Sequence, residues 1–258
     1  MAAEVDEQRQ ARYPVSKFEI EPSFRENIPS LQLHPANLVR TARALADENI
    51  PIVEYGGQLQ YRFGHPAVLV LVEWAIPDTQ LSFASHILSG HGFPRVSLFK
   101  DVGKGDYPSE TMTTIHRLDL SAWQRIHLYP LSLIGLTIED TVEVQSTFNH
   151  ETRVLTPRPM AYMLSLIQFL LRNPIGNSNR SWVYADLASF ISYYIFHESP
   201  TTGYEDDDES EEVFEKRAED AIVYVKSWDW GTTEPKYLNI IEDILRDCGS
   251  LQQLAEIS

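Results

Sequence analysis

The sequence predicts an α/β chain, more closely an α+β arrangement in which a sheet flanked by helices precedes a C-terminal helical region. Three observations carry this. Helix and strand patterns alternate from Pro35 to Phe99, the run AVLVLVEWAI at 67–76 is apolar on both faces, and from Pro157 onward the apolar spacing turns helical. With 258 residues and 43% hydrophobic content the chain can fill one large core or two small ones. The expected division is an N-terminal extension at 1–33, an α/β core at 34–156 and a helical region at 157–258 with an acidic loop at 204–212.

The elements follow in order. Pro35 suits a first helical position, and Leu38, Val39, Ala42 and Leu45 recur at helical spacing after it. Ile50 to Val53 reads as a short strand ending at Tyr55-Gly56-Gly57, and Gln58 to Phe63 as a short helix closed by Gly64. Pro66 then opens the strand 67–76, whose β-branched, doubly apolar composition belongs at the centre of a sheet. Pro77 stops it, and Asp78 or Thr79 offers an N-cap to a helix with Leu81, Ala84, Ile87 and Leu88 inward, ended by Gly90-His91-Gly92. Strands are expected at 95–99, 112–120, 125–129 and 141–145, and helices from Pro157, then at 181–196, 212–228 and 235–257.

Composition narrows the function. Lys and Arg number 21 against 37 Asp and Glu, a net charge of -16, so no global field attracts phosphate backbones or anionic lipid. Nucleic acid is disfavoured as a partner. Glu205 to Glu212 holds seven of the acids, a solvated run expected to stay unpacked, and the remainder of the chain is still acidic. The single Cys248 supports neither a disulfide nor a zinc cage, and the N-terminus lacks an apolar signal region. An intracellular protein, cytoplasmic or nuclear, is expected, with no membrane association and with an unidentified protein partner.

The order from Ile52 to Phe93 carries a resemblance. A strand, Tyr55-Gly56-Gly57, a short helix, a strand ending in Ile76-Pro77-Asp78, and a helix ending in Gly92-Phe93 resemble the nucleotidyltransferase fold, in particular its divergent fungal members. The resemblance spans about Leu38 to Arg172 and implies a mixed sheet flanked by helices, with helices after the sheet. In active members the glycine pair is followed, nine to thirteen residues on, by a carboxylate, a hydrophobic residue and a second carboxylate. Acids two apart on a strand share a face and can hold divalent ions against nucleotide phosphates.

Counting from Gly57, the first acid must fall at 67–71, which is wholly aliphatic and ends at Leu71. Glu73 stands where the second acid belongs. The resemblance further implies a third carboxylate from a later strand, for which Asp119 is the candidate. Metal ligation thus falls to Glu73 and Asp119, and phosphate approach to Gly56 and Gly57. Loss of the first ligand predicts a degenerate, non-catalytic member needing no cofactor. The alternative is an active enzyme using Mg²⁺ and a nucleotide, with Glu73, Asp78 or Asp119 relocated around one ion. In a third reading, Tyr61 or Trp74 fills the cleft and nucleotide never binds.

Plainer readings stand beside these. Gly56-Gly57 can be a tight turn alone, Glu73 can sit at a solvent-facing sheet edge opposite Arg62 or Arg95, and Asp119 can be a surface residue. None of the eight histidines has zinc-ligand spacing. Val102 to Asp106 lacks the spacing of a phosphate loop, and no G-x-S-x-G occurs. Trp228 and Trp230 can either anchor a partner or close a helical core.

Overall fold

The computed structural model describes residues 36–66, 71–96, 114–117, 125–173, 180–198, 210–231, 233 and 235–247. Its centre is a six-stranded mixed sheet of β1 (Val53–Glu54), β2 (Val72–Ile76), β3 (Thr114–Arg117), β4 (Arg125–Pro130), β5 (Thr141–Gln145) and β6 (Arg153–Pro157), in the order β3-β4-β2-β1-β6-β5. β1 runs antiparallel to β2 and parallel to β6, β2 runs parallel to β4, and the outer pairs β3/β4 and β5/β6 are antiparallel. Short antiparallel pairs thus close both ends of the sheet, while the strands at its centre are buried.

Alternation along the strands sorts side chains to two faces. Val72, Trp74 and Ile76 of β2 and Ile126 and Leu128 of β4 face α1 (Ala36–Asp47) and α3 (Leu81–Gly90), packing with Leu38, Ala42, Ala84 and Leu88. Ala75 and Tyr129 join the opposite core, built with α2 (Gly56–Arg62), α4 (Pro159–Arg172), α5 (Arg180–Phe190), α6 (Glu211–Lys226) and α7 (Pro235–Arg246). The helical region therefore packs in one continuous core with the sheet. No helix among the described residues is long and apolar enough to cross a membrane.

Several expectations are adjusted. The central strand begins at Val72, with Leu71 in a bend before it, and 67–70 lie outside the described residues. Of the strand expected at 95–99, an isolated bridge between Arg95 and His116 is found, and 97–99 lie outside the description. Strand β6 was not anticipated: its RVLTP segment is only five residues long and abuts the helix, whose first position is Pro159 because Pro157 still belongs to the strand. The helix expected at 181–196 opens into a π-turn at Ile191–Ile195. Asp78 caps nothing by its side chain; a 3₁₀ turn at Asp78–Gln80 leads into α3, and the Asp78 carboxylate instead accepts from the Ser132 amide at 3.1 Å and from its hydroxyl.

Trp228 is 5% exposed and stacks on Trp230 at 6.0 Å, while Trp230 Nε1 donates to the Val225 carbonyl at 2.9 Å. Both tryptophans close the helical core rather than stand free.

Candidate functional site

The site lies where β1 turns into α2. Gly56 opens that helix with φ +54°, a left-handed conformation that suits glycine, and this sharp turn lays the Gly57 amide against β2. The antiparallel neighbour β2 brings Glu73 to the same point. Glu73 Oε2 accepts from Gly57 N at 2.8 Å, the Glu73 amide donates to Gln58 Oε1 at 2.8 Å, and Tyr55 N donates to the Glu73 carbonyl at 3.0 Å. Turn and strand are thereby locked together.

The second Glu73 oxygen is taken as well. The Tyr129 hydroxyl, brought alongside by the parallel pairing of β4 with β2, donates to Oε1 at 3.0 Å, and His127 Nδ1 lies 3.1 Å from that hydroxyl. Burial pushes the Glu73 carboxyl above its ordinary range, against the smaller opposing pull of the Gly57 and Tyr129 hydrogen bonds. Burial, then the adjacent Arg125 charge, brings His127 down to about 4, so its ring is neutral at pH 7. Tyr129 is raised, first by burial and then by Glu73, and keeps its hydrogen.

Aromatic rings surround this carboxyl. Tyr55 packs edge-on against Tyr129 and Tyr162, each at 5.9 Å between ring centres. Gln60 Nε2 donates to the Tyr162 hydroxyl at 2.7 Å and to the Asp186 carbonyl at 2.9 Å, tying α2 to α4 and α5. The Asp186 carboxyl is raised to about 7, by burial first and by the Glu73 charge second. Asp186 was not a candidate from the sequence, because nothing local marks a helical aspartate that tertiary packing brings near the strand.

Glu73 is therefore not at a solvent edge, being 9% exposed in a central strand, and Arg62 is not its partner. Arg62 instead binds Glu54, the fully buried acid of β1, through Nε at 2.9 Å and Nη2 at 2.5 Å. Glu54 also accepts from the Ser146 hydroxyl at 2.7 Å and the Thr147 amide at 2.8 Å, which ties the β5–β6 connection to β1. Trp74 faces the other side of the sheet, against Phe148, so it does not stand beside Glu73; Tyr55, Tyr129 and Tyr162 are buried in the core on the Glu73 side. Asp119 lies outside the described residues.

The fit to a divalent cation is poor among the described residues. No group of three His, Cys, Asp or Glu side chains is placed to hold a metal ion. Positions 71 and 75, two away from Glu73 in either direction, are Leu and Ala. Asp78 bonds to Ser132, and Glu73 to Gly57 and Tyr129, so these two acids have separate partners.

No family model matches this chain, and no curated protein does. Among solved structures it is similar to the crystal structure of an antigenic nucleotidyltransferase-like protein from Paracoccidioides brasiliensis, at 14% identity and a TM-score of 0.39 over 60% of this chain and 74% of that one. It is also similar to the solution structure of the antibiotic-resistance factor ANT(2'')-Ia, at 13% identity and a TM-score of 0.36 over 61% of this chain and 91% of that one.

Proposed function

We propose that this chain is a nucleotidyltransferase-like protein without phosphoryl-transfer activity, serving inside the cell as a binding or interaction module. The supporting observation is the state of Glu73. An acid that holds Mg²⁺ must be ionised and must offer an oxygen lone pair to the ion. Glu73 is buried, is raised in pKa, and has both oxygens engaged by Gly57 and Tyr129. Leu71 and Ala75, two residues away on either side, supply no second ligand. The Gly57 amide, which a phosphate would need, is already spent on Glu73.

Positioning and metal charge supply most of the catalysis in phosphoryl transfer. A turn that is closed on its own carboxyl offers neither. In this reading the glycine turn survives as architecture, Mg²⁺ and nucleotide are not resident, and the partner is a protein.

The test is calorimetric titration with ATP and CTP in the presence of Mg²⁺, alongside an assay for nucleotide incorporation into hydroxyl and amine acceptors. No metal-dependent turnover is expected. Turnover that disappears in Glu73→Gln would overturn the proposal.

A further inference from the structure

On the face of the sheet away from Glu73, α3 and β3 bring together a serine and a histidine that lie 31 residues apart. Ser85 Oγ is 3.0 Å from His116 Nε2, and His116 Nδ1 is 2.7 Å from the Phe93 carbonyl oxygen. The chemistry of these partners fixes the hydrogens. A carbonyl oxygen can only accept, so Nδ1 carries the imidazole hydrogen and donates it to Phe93. Burial holds the His116 pKa below its ordinary value, which keeps the ring neutral at pH 7. Nε2 is then a bare lone pair and accepts from the Ser85 hydroxyl.

This is the geometry that activates a serine: nucleophile bonded to base, base held in one tautomer by a third group. His116 is fully buried, whereas Ser85 is only half-buried. The isolated bridge between Arg95 and His116 puts exposed Arg95 on the segment beside the base, where its charge acts on His116. No local sequence pattern marks the pair, because the two residues come from different elements.

We propose that Ser85 and His116 form an acyl-accepting dyad that reacts with activated esters. In the step, Ser85 Oγ bonds to the ester carbonyl carbon as its hydrogen passes to His116 Nε2. The bond from that carbon to the leaving oxygen then breaks, and the leaving oxygen takes the hydrogen from His116. The products are acyl-Ser85, a free alcohol and His116 restored to its starting tautomer. The site shares no residue with the turn at Glu73, so it stands or falls independently of the function proposed above.

The experiment treats the full-length protein with a fluorophosphonate probe, which forms a P–O bond to an activated serine as fluoride leaves, and maps adducts by peptide mass spectrometry. Ser82 and Ser89 are exposed on the same helix and serve as internal references. Ser85 is expected to label at least about tenfold faster than either, with labelling lost in Ser85→Ala and slowed about tenfold or more in His116→Gln. A matching burst of nitrophenolate from p-nitrophenyl acetate is expected in the unmodified protein and absent in Ser85→Ala. An unlabelled Ser85, a Ser85 rate equal to those of Ser82 and Ser89, or an undiminished rate in folded His116→Gln would each overturn the proposal. If His116→Gln fails to fold, the comparison among the three serines of the unmodified protein still decides.

Discussion

Glu73 occupies the space that a side chain at Gly56 would need: a Cβ there would lie 2.0 Å from Glu73 Oε2. Turn and strand are thus complementary to within a single atom. Gly56→Ala must both adopt φ +54° and push the carboxyl off the Gly57 amide and the Tyr129 hydroxyl. A loss of about 2–4 kcal/mol is expected, from left-handed strain plus broken buried hydrogen bonds. Gly231→Ala, with φ +50° but open space around it, is expected to cost only about 1 kcal/mol. Gly57→Ala, whose Cβ would meet Glu73 at an ordinary 3.7 Å, is expected to cost less than Gly56→Ala. Urea midpoints of the three variants check the ranking.

Replacing Glu73 separates its charge from its hydrogen bonds. A carboxyl whose folded pKa is raised contributes stability that is complete below its unfolded value, near 4.5, and is lost as pH rises through the folded value. Glu73→Gln is neutral at every pH and can still accept from Gly57, so it is expected to match or exceed the parent in melting temperature at pH 8. Glu73→Ala loses both acceptors and is expected to fall by about 2 kcal/mol. Thermal melts at pH 5 and pH 8 distinguish the two effects, and a Glu73→Gln variant much less stable at pH 8 would contradict the raised pKa.

Asp186 has the same sign with a defined window. Its folded pKa of about 7 stands above the ordinary 3.8, so folding stability is expected to decline as pH rises from about 4 to about 7. Asp186→Asn removes that decline. The variant should therefore gain on the parent across this interval and hold its advantage above pH 7, as read by denaturant titrations at successive pH values.

Arg62 is the countercharge for the most buried acid in the sheet. Its side chain is 12% exposed and that of Glu54 is fully buried, so Arg62→Ala strands a carboxylate in the core at a cost of about 3–5 kcal/mol. Arg62→Ala combined with Glu54→Gln is expected to recover part of that loss, because the remaining donors from Ser146 and Thr147 can still bond a neutral amide. A double-mutant cycle in urea measures the coupling, and additive losses would show that the pair acts independently.

Much of the architecture was legible because local signals agreed. The glycine pair, the doubly apolar strand through Glu73, the Pro77 stop and the helical spacing after Pro157 each depend on residues within one or two turns. β6 escaped because a five-residue edge of the pattern, ending in two prolines around Arg158, gives too little period to separate strand from helix start. Glu73 falls on the expected strand, and of the two readings of it the solvent-facing sheet edge is the one its burial excludes. Its burial depends on Tyr129 and Gly57, which lie 56 and 16 residues away. Asp186 near Glu73, Glu54 with Arg62, and the Ser85–His116 contact were invisible for the same reason.

The order of residues alone determined a helix-flanked sheet, the tight turn at Gly56-Gly57 and the lack of an acid at Leu71, since backbone geometry and side-chain charge are properties of each position. Only the tertiary structure decided that Glu73 points into a cage of tyrosines rather than toward solvent. A carboxyl's ionisation depends on the dielectric and the donors around it, and those are assembled from α2, β2, β4 and α4, which meet only in the folded chain.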